Sequence, residues 1–110
     1  MKVYKIVMTP DAKSDLRNIR DYIAETFSAP ETARNYIHSI REETAKLEYT
    51  ASVIAPVPEE PWHSRKIRRF SAKEFFIYYR IDESTDIVYI LNIIYQKRDQ
   101  IRYMSNHFSE

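Results

Sequence analysis

The stretch that decides the fold is residues 74–95, "EFFIYYRIDESTDIVYILNIIY". Its first run alternates, and successive side chains of a strand point to opposite faces of the sheet. The two faces are Phe75, Ile77, Tyr79 and Ile81 on one side, and Phe76, Tyr78 and Arg80 on the other. After the polar turn "DESTD", the run "IVYILNIIY" is apolar on both faces, which is typical of a central strand buried on both sides. The stretch therefore predicts a strand pair at the centre of a sheet.

Before this pair, the sequence predicts one strand and a first helix. "KVYKIVM" (residues 2–8) alternates and is rich in β-branched and aromatic residues, as strands are. Thr9 is then a suitable N-cap and Pro10 a suitable first helical residue. The apolar positions recur at helical spacing and should face the core: Ala12, Leu16, Ile19 and Ile23. The opposite face, predicted to be solvated, holds Asp15, Arg17, Asp21 and Glu25.

A second helix start follows within a few residues, in "SAPETA" (residues 28–33), with Pro30 near the first turn and Glu31 behind it. Its mostly apolar stripe consists of Ala33, Tyr36, Ile37, Ile40, Thr44 and Leu47. The short connection predicts an antiparallel helix hairpin. Residues 50–64 contain three prolines and no period, which predicts a long loop, and "SRKIRRF" (residues 64–70) predicts a further strand.

The predicted order is strand, helix, helix and three strands, so we expect a single α+β domain over residues 1–110, with the helices on one face of a three-stranded antiparallel sheet. Because the helix pair covers only one apolar face, the other face needs the C-terminal tail, a second copy in a homodimer, or a partner. The chain has no Cys and no Gly, which excludes disulfides, Cys-based metal sites and glycine-rich phosphate loops. No membrane-length apolar run and no signal peptide is visible, so we expect a cytoplasmic protein without a cofactor or metal.

The charge is uneven although the net charge is only +1. Residues 1–61 carry 8 basic and 10 acidic side chains, whereas residues 62–110 carry 9 basic and 6 acidic side chains. The densest cationic segment is "WHSRKIRRF" (residues 62–70), in which strand alternation would put Arg65, Ile67 and Arg69 on one face and Lys66, Arg68 and Phe70 on the other. Such a strip either keeps an edge strand from pairing with other sheets or binds anions.

These phrases together resemble the RelE/ParE family of toxins from bacterial type II toxin–antitoxin systems. The resemblance rests on "YKIVMTPDAKSDLRNIRDYI", "PETARNYIHSI", "IRRF…FFIYYRID" and "VYILNIIYQKRD", in that order, and so covers nearly the whole chain. It implies the α+β fold, an antitoxin partner, and one of two activities on the same scaffold. With such a partner, we expect the cationic strip to serve two anions, a nucleic acid when the toxin is active and an acidic antitoxin segment when it is silenced. RelE-like members cleave mRNA on the ribosome, and ParE-like members poison DNA gyrase.

For mRNA cleavage, the resemblance implies that Lys, Arg and Tyr side chains act on the RNA without a metal. The matching catalytic candidates are Lys66, Arg68, Arg98 and Tyr103, and the nucleic-acid-binding candidates are Arg65, Arg69, Lys97 and Arg80. The density of these cations favours an endoribonuclease acting with ribosome and mRNA, and ribosome-dependent mRNA cleavage is the activity that we expect. However, Phe76 stands where RelE has a phosphate-binding arginine, which favours a gyrase inhibitor or an inactive module that only binds the antitoxin. His63 is the only histidine placed to act as an acid or base, and Trp62 is predicted to anchor the long loop.

Overall fold

The structure is a computed structural model that describes residues 2–95 except residues 27 and 73. Its elements follow in the predicted order of strand, helices and three strands, with a short third helix and a 3₁₀ turn before the last three strands. They are β1 (Lys5–Met8), α1 (Pro10–Thr26), α2 (Pro30–Ala45), α3 (Leu47–Thr50), the 3₁₀ turn (Ala51–Val53), β2 (Arg68–Ala72), β3 (Phe75–Asp82) and β4 (Ile87–Tyr95).

The four strands form one sheet in the order β1-β4-β3-β2, so the predicted α+β class is confirmed. β4 pairs antiparallel with β3 and parallel with β1, with Lys5 opposite Ile87 and Met8 opposite Ile90. The sheet is therefore mixed rather than purely antiparallel. β4 has a strand on each side and lies in the interior of the sheet, as its two-sided apolar pattern predicted.

The two long helices pack on one face of the sheet and form the main core with it. α1 begins as expected, because the Thr9 hydroxyl accepts a hydrogen bond from the Ala12 amide at 3.2 Å. The core side chains of α1 are those at helical spacing, and the sheet contributes the predicted inner face of β3. The helix residues are Ala12, Leu16, Ile19, Ile23, Ala33 and Ile40, and the β3 residues are Phe75, Ile77 and Tyr79.

The predicted strand at residues 64–70 is wrong at its start. β2 begins only at Arg68, and residues 61–66 form turns in which the amide of His63 donates to the carbonyl of Glu59 at 2.9 Å. Lys66 has a φ of 57°, in the left-handed region that a strand cannot include. The charged side chains give no indication of this reversal, because a positive φ at a lysine has no sequence pattern.

A bulge in β4 sets the geometry of the sheet where it meets α1. The register shifts between Tyr78 and Tyr79, so that Tyr79 pairs with Ile90 while Tyr78 pairs with Asn92. The Thr9 hydroxyl donates to the carbonyl of Ile90 at 2.8 Å, and the carbonyl of Leu91 lies 3.2 Å from the same hydroxyl. The end of β1 and the start of α1 are thereby fixed to the bulge.

Asp15 also joins α1 to the β4 bulge, and its position differs from the prediction. It was expected on the solvated face of α1, but it is 6% exposed. Its carboxylate accepts a hydrogen bond from the Ile93 amide at 2.9 Å and another from the Asn92 side chain at 3.2 Å. Asp15 lies three residues after Ala12 and four before Ile19, so helical geometry places it on the apolar stripe.

The sheet face opposite the helices, which we call the open face, has a smaller apolar cluster of its own. Ile67, Tyr78 and Ile94 are buried there, with Trp62, Phe76 and Leu91 packed against them. Two of these residues belong to the segment between the 3₁₀ turn and β2, so the chain itself covers part of the open face. The prediction that Trp62 anchors this segment is confirmed by its packing in the cluster.

Candidate functional site

A cleft of about 280 Å³ on the open face brings together two of the predicted nucleic-acid-binding arginines, Arg65 and Arg80. Arg65 comes from the turn before β2 and Arg80 from the end of β3. The remaining described lining residues come from the α1 start, the turn and the β4 bulge: Thr9, Asp11, Ile67, Leu91 and Asn92. Two guanidinium groups at one cleft favour an anion, since arginine presents several donors in a planar fork.

Arg80 is also stacked on an aromatic ring. Its guanidinium carbon lies 4.8 Å from the centroid of Tyr89, the residue directly opposite it on β4. A guanidinium at this distance is attracted to the ring electrons and loses little hydration, so its hydrogen-bonding edge stays available. This pair forms a flat, cationic surface beside the cleft.

Arg69 repeats this arrangement further along the same face. Its guanidinium carbon lies 4.6 Å from the centroid of Phe76. Burial raises the pKa of the Tyr78 phenol, while the hydrogen bond and positive charge of Arg69 act in the opposite direction. Phe76 stands where the resemblance leads us to expect an arginine. It carries no charge itself, but its ring lies against the guanidinium of Arg69.

Arg68 points to the other side of the sheet. Its guanidinium donates to the carbonyl of Ile54 at 2.5 Å and lies 3.3 Å from the carbonyl of Ser52. The buried hydroxyl of Tyr79 donates to the carbonyl of Ala51 at 2.7 Å beside it, and burial raises the pKa of that phenol to about 12. Both side chains therefore bind the backbone of residues 51–54.

Apart from Lys66, the structure divides the cationic strip between the two faces as the alternation predicted, even though the strand is shorter. Arg65, Ile67 and Arg69 contribute to the open face, whereas Arg68 and Phe70 lie on the helix side. Lys66 is exposed in the turn and is not among the described residues that line the cleft. The predicted catalytic pair of Lys66 and Arg68 is therefore not brought together with Arg65 and Arg80.

Three other candidates, Lys97, Arg98 and Tyr103, lie outside the described residues, and their predicted roles stay predictions. His63, considered as an acid or base, has its Nδ1 2.9 Å from the carbonyl of Val57, which fixes the long segment. Glu60 accepts hydrogen bonds from the hydroxyl of Ser64 at 2.6 Å and from its amide at 3.3 Å. These side chains hold the turn that carries Arg65.

Sequence reasoning missed several residues of the open-face site, namely Thr9, Asp11, Tyr89, Leu91 and Asn92. Tyr89 could have been found by counting outward from the turn "DESTD", because hairpin register places it opposite Arg80. Leu91 and Asn92 could not, since the bulge that positions them leaves no pattern in a continuous apolar run.

Over residues 2–95, without 27 and 73, no group of three or more His, Asp or Glu side chains could hold a metal ion. Within the same residues, no helix has both the length and the apolar character to cross a membrane.

Comparison with known proteins identifies the family. Residues 6–100 match the model of the ParE toxin of the type II toxin–antitoxin system, parDE. The chain therefore belongs to this family, within the RelE/ParE class that the fold indicates, and it is the toxin of a type II toxin–antitoxin system. No curated protein matches the sequence.

Two solved structures have a similar fold. The chromosomal ParDE toxin–antitoxin system from P. aeruginosa matches with a TM-score of 0.70 and 24% identity, over 84% of this chain and 96% of that chain. The toxin–antitoxin complex RelBE2 from Mycobacterium tuberculosis matches with a TM-score of 0.54 and 17% identity, over 84% and 98% of the two chains.

Proposed function

We propose that this toxin acts in the cytoplasm by binding DNA gyrase through its open face, and that an antitoxin holds it inactive. The observation that carries this proposal is the pair of arginines stacked on rings, Arg80 on Tyr89 and Arg69 on Phe76. Arginine and aromatic side chains dominate the binding energy of protein interfaces. A surface on which they alternate beside a cleft suits a protein partner.

The positions of Lys66 and Arg68, the two catalytic candidates among the described residues, support binding over cleavage. RNA cleavage needs groups that remove a proton, donate another and stabilise the charge on phosphorus, all within reach of one phosphate. Arg68 is instead bonded to the backbone on the helix side, and Phe76 replaces the expected cation. The match to the ParE family model agrees with this preference.

Ribosome-dependent mRNA cleavage is the second candidate, and one observation favours it. Arg65 and Arg80 line a single cleft whose polar lining also includes Thr9, Asn92 and one carboxylate, that of Asp11. Two guanidinium groups there could hold one phosphate of an mRNA. Lys97, Arg98 and Tyr103 would then have to supply the acid and base.

The test is expression of the toxin alone in a bacterium, with a DNA-damage reporter and mapping of transcript 5′ ends. We expect growth arrest, induction of the reporter and intact mRNA. In purified form, the toxin should inhibit DNA supercoiling by gyrase, and the variant Arg69→Ala plus Arg80→Ala should lose that inhibition.

Other outcomes separate the alternatives. New 5′ ends in phase with the reading frame, without the reporter, would refute gyrase binding and favour cleavage. An absence of arrest, with a folded and expressed protein, would favour an inactive module that only binds the antitoxin. A double variant Lys2→Ala plus Lys46→Ala, which removes two exposed cations elsewhere, is the matched control for loss of charge.

A further inference from the structure

The cleft of Arg65 and Arg80 on the open face contains a hydrogen-bond acceptor that a simple anion would not need. Asp11, the second residue of α1, lines this cleft and is exposed. No cation among the described residues forms an ion pair with its carboxylate. Two guanidinium groups and one carboxylate leave the cleft with a net positive charge. The ligand should therefore combine negative charge with hydrogen-bond donors of its own.

The buried side chain of Asn92 adds a second acceptor. It is 4% exposed, and its Nδ2 donates to the carboxylate of Asp15 at 3.2 Å. Because this bond holds the nitrogen on the side of Asp15, the amide oxygen lies on the other side of the group. Asn92 also lines the cleft, so Asp15 determines that the amide can accept a hydrogen bond from a ligand there.

The other surfaces of the cleft suit a flat, partly apolar group. Ile67 and Leu91 contribute apolar side chains to the lining. The exposed guanidinium of Arg80 lies over the ring of Tyr89, with 4.8 Å between its carbon and the ring centroid. Nucleobases stack on guanidinium planes, and unpaired bases are commonly held in this way. A base lying on Arg80 would have its edge near the two acceptors.

The size of the cleft and its acceptors select one kind of nucleotide. Its volume of about 280 Å³ is close to the lower limit of small-molecule sites, roughly 300 Å³, so it has room for one base with its phosphate. Guanine has two neighbouring N–H donors on its pairing edge, and a carboxylate can accept from both. In a duplex this edge is paired with cytosine, so the guanine must be unpaired.

We infer that the cleft binds a single unpaired guanine nucleotide. The base stacks on Arg80 and donates to Asp11 and Asn92, and Arg65 binds the phosphate. The nucleotide is either free or part of a strand, and both sources offer the same base, sugar and phosphate. This site goes beyond the proposed function, because it belongs to the toxin alone and does not need gyrase.

The first experiment tests recognition of the base by NMR titration of the toxin with dGMP and dAMP. The dGMP should shift the amide resonances of Leu91 and Asn92 and bind roughly 5- to 30-fold more tightly than dAMP, as one bidentate base contact allows. Asp11→Asn removes the carboxylate and should bring the two affinities to within about twofold of each other. The control Asp21→Asn, which changes an exposed carboxylate of the same helix outside the cleft, should keep the preference.

The second experiment tests the cations with the same probes. Arg65→Ala plus Arg80→Ala should weaken dGMP binding about tenfold or more, because it removes both charged donors and the stacking plane. Lys2→Ala plus Lys46→Ala removes the same charge elsewhere and should bind dGMP within about twofold of the unaltered toxin. Circular dichroism verifies that all variants are folded.

The DNA trinucleotides TGT and TAT distinguish the two sources. Tighter binding of TGT than of dGMP supports a strand, and the reverse supports the free nucleotide. The inference is refuted if neither dGMP nor TGT binds, or if Asp11→Asn keeps the full preference for guanine. Inorganic phosphate that binds as tightly as dGMP would show that the cleft recognises an anion only. Gyrase is absent from these titrations, so a toxin that inhibits gyrase without binding guanine refutes this inference alone, and one that binds guanine without inhibiting gyrase refutes only the proposed function.

Discussion

Replacing Asp15 with alanine should destabilise the toxin more than the loss of any other carboxylate of α1. The substitution removes the acceptor for two donors at the β4 bulge, the Ile93 amide at 2.9 Å and the Asn92 side chain at 3.2 Å. A hydrogen bond to a charged group contributes about 1.5–3 kcal/mol, and a buried donor without a partner costs about 1–3 kcal/mol. Part of this sum is offset, because the variant no longer buries a carboxylate and because water can enter to bind the two donors. We therefore expect the free energy of unfolding to fall by about 3 kcal/mol.

Urea denaturation followed by circular dichroism measures this free energy of unfolding. For a chain of this size, the expected loss corresponds to a fall of about 12 °C in the thermal midpoint. Asp15→Asn keeps one carbonyl oxygen that can accept from the Ile93 amide. Its free energy of unfolding should therefore fall by about half as much as that of Asp15→Ala. Asp21→Ala, which removes an exposed carboxylate from the same helix, is the control and should change stability by less than about 0.5 kcal/mol. A loss below about 1 kcal/mol for Asp15→Ala would show that the bulge is held by other contacts.

Three further substitutions test other parts of the structure. The Tyr79 phenol has a raised pKa of about 12, so the folded state binds that proton more tightly than the unfolded state, whose tyrosine titrates near about 10. Stability should therefore fall between about pH 10 and about pH 12, and Tyr79→Phe should make that decline smaller, as urea midpoints at each pH would show. The decline that remains belongs in part to Tyr78, whose pKa is raised by burial as well. Lys66→Gly should stabilise the fold by up to about 1 kcal/mol, because glycine adopts the φ of 57° without the steric penalty that lysine has there. An unchanged urea midpoint would show that Lys66 is not strained at this φ. Arg68→Ala frees the carbonyls of Ser52 and Ile54 and should speed proteolysis at residues 51–57 several-fold, whereas an equal cleavage rate would exclude a role in holding that segment.

Much of the fold follows from periodicity in the sequence. The helices and the last two strands are identified by their apolar spacing, because burial of one face imposes a period of 3.6 or 2 on the chain. The parallel pairing of β1 with β4 was not predicted, since strand order depends on how the elements pack and not on any single pattern. Predicted boundaries were least accurate at residues 64–67, where a turn with a positive φ carries the same charged residues as an edge strand.

The candidate site was predictable only in part. The cationic residue types were identified, and Arg65 and Arg80 do meet at one cleft. Which arginine is available could not be inferred, because Arg68 binds carbonyls 14 and 16 residues away along the chain. Asp15 was misassigned for a related reason. A carboxylate on an apolar stripe needs a buried partner, and its partner is a bulge 77 and 78 residues further on.

The position of β4 in the interior of the sheet has a consequence for how the toxin comes into being. The strand that separates β1 from β3 is made after every other element described, so a growing chain has β1 and the helices long before it has the strand that joins them. Pairing between Lys5 and Ile87 also closes a long loop, which makes this step slow relative to helix formation. A partly synthesised chain that ends before Ile87 therefore has no complete core and no open face. A working toxin therefore exists only after synthesis has passed β4.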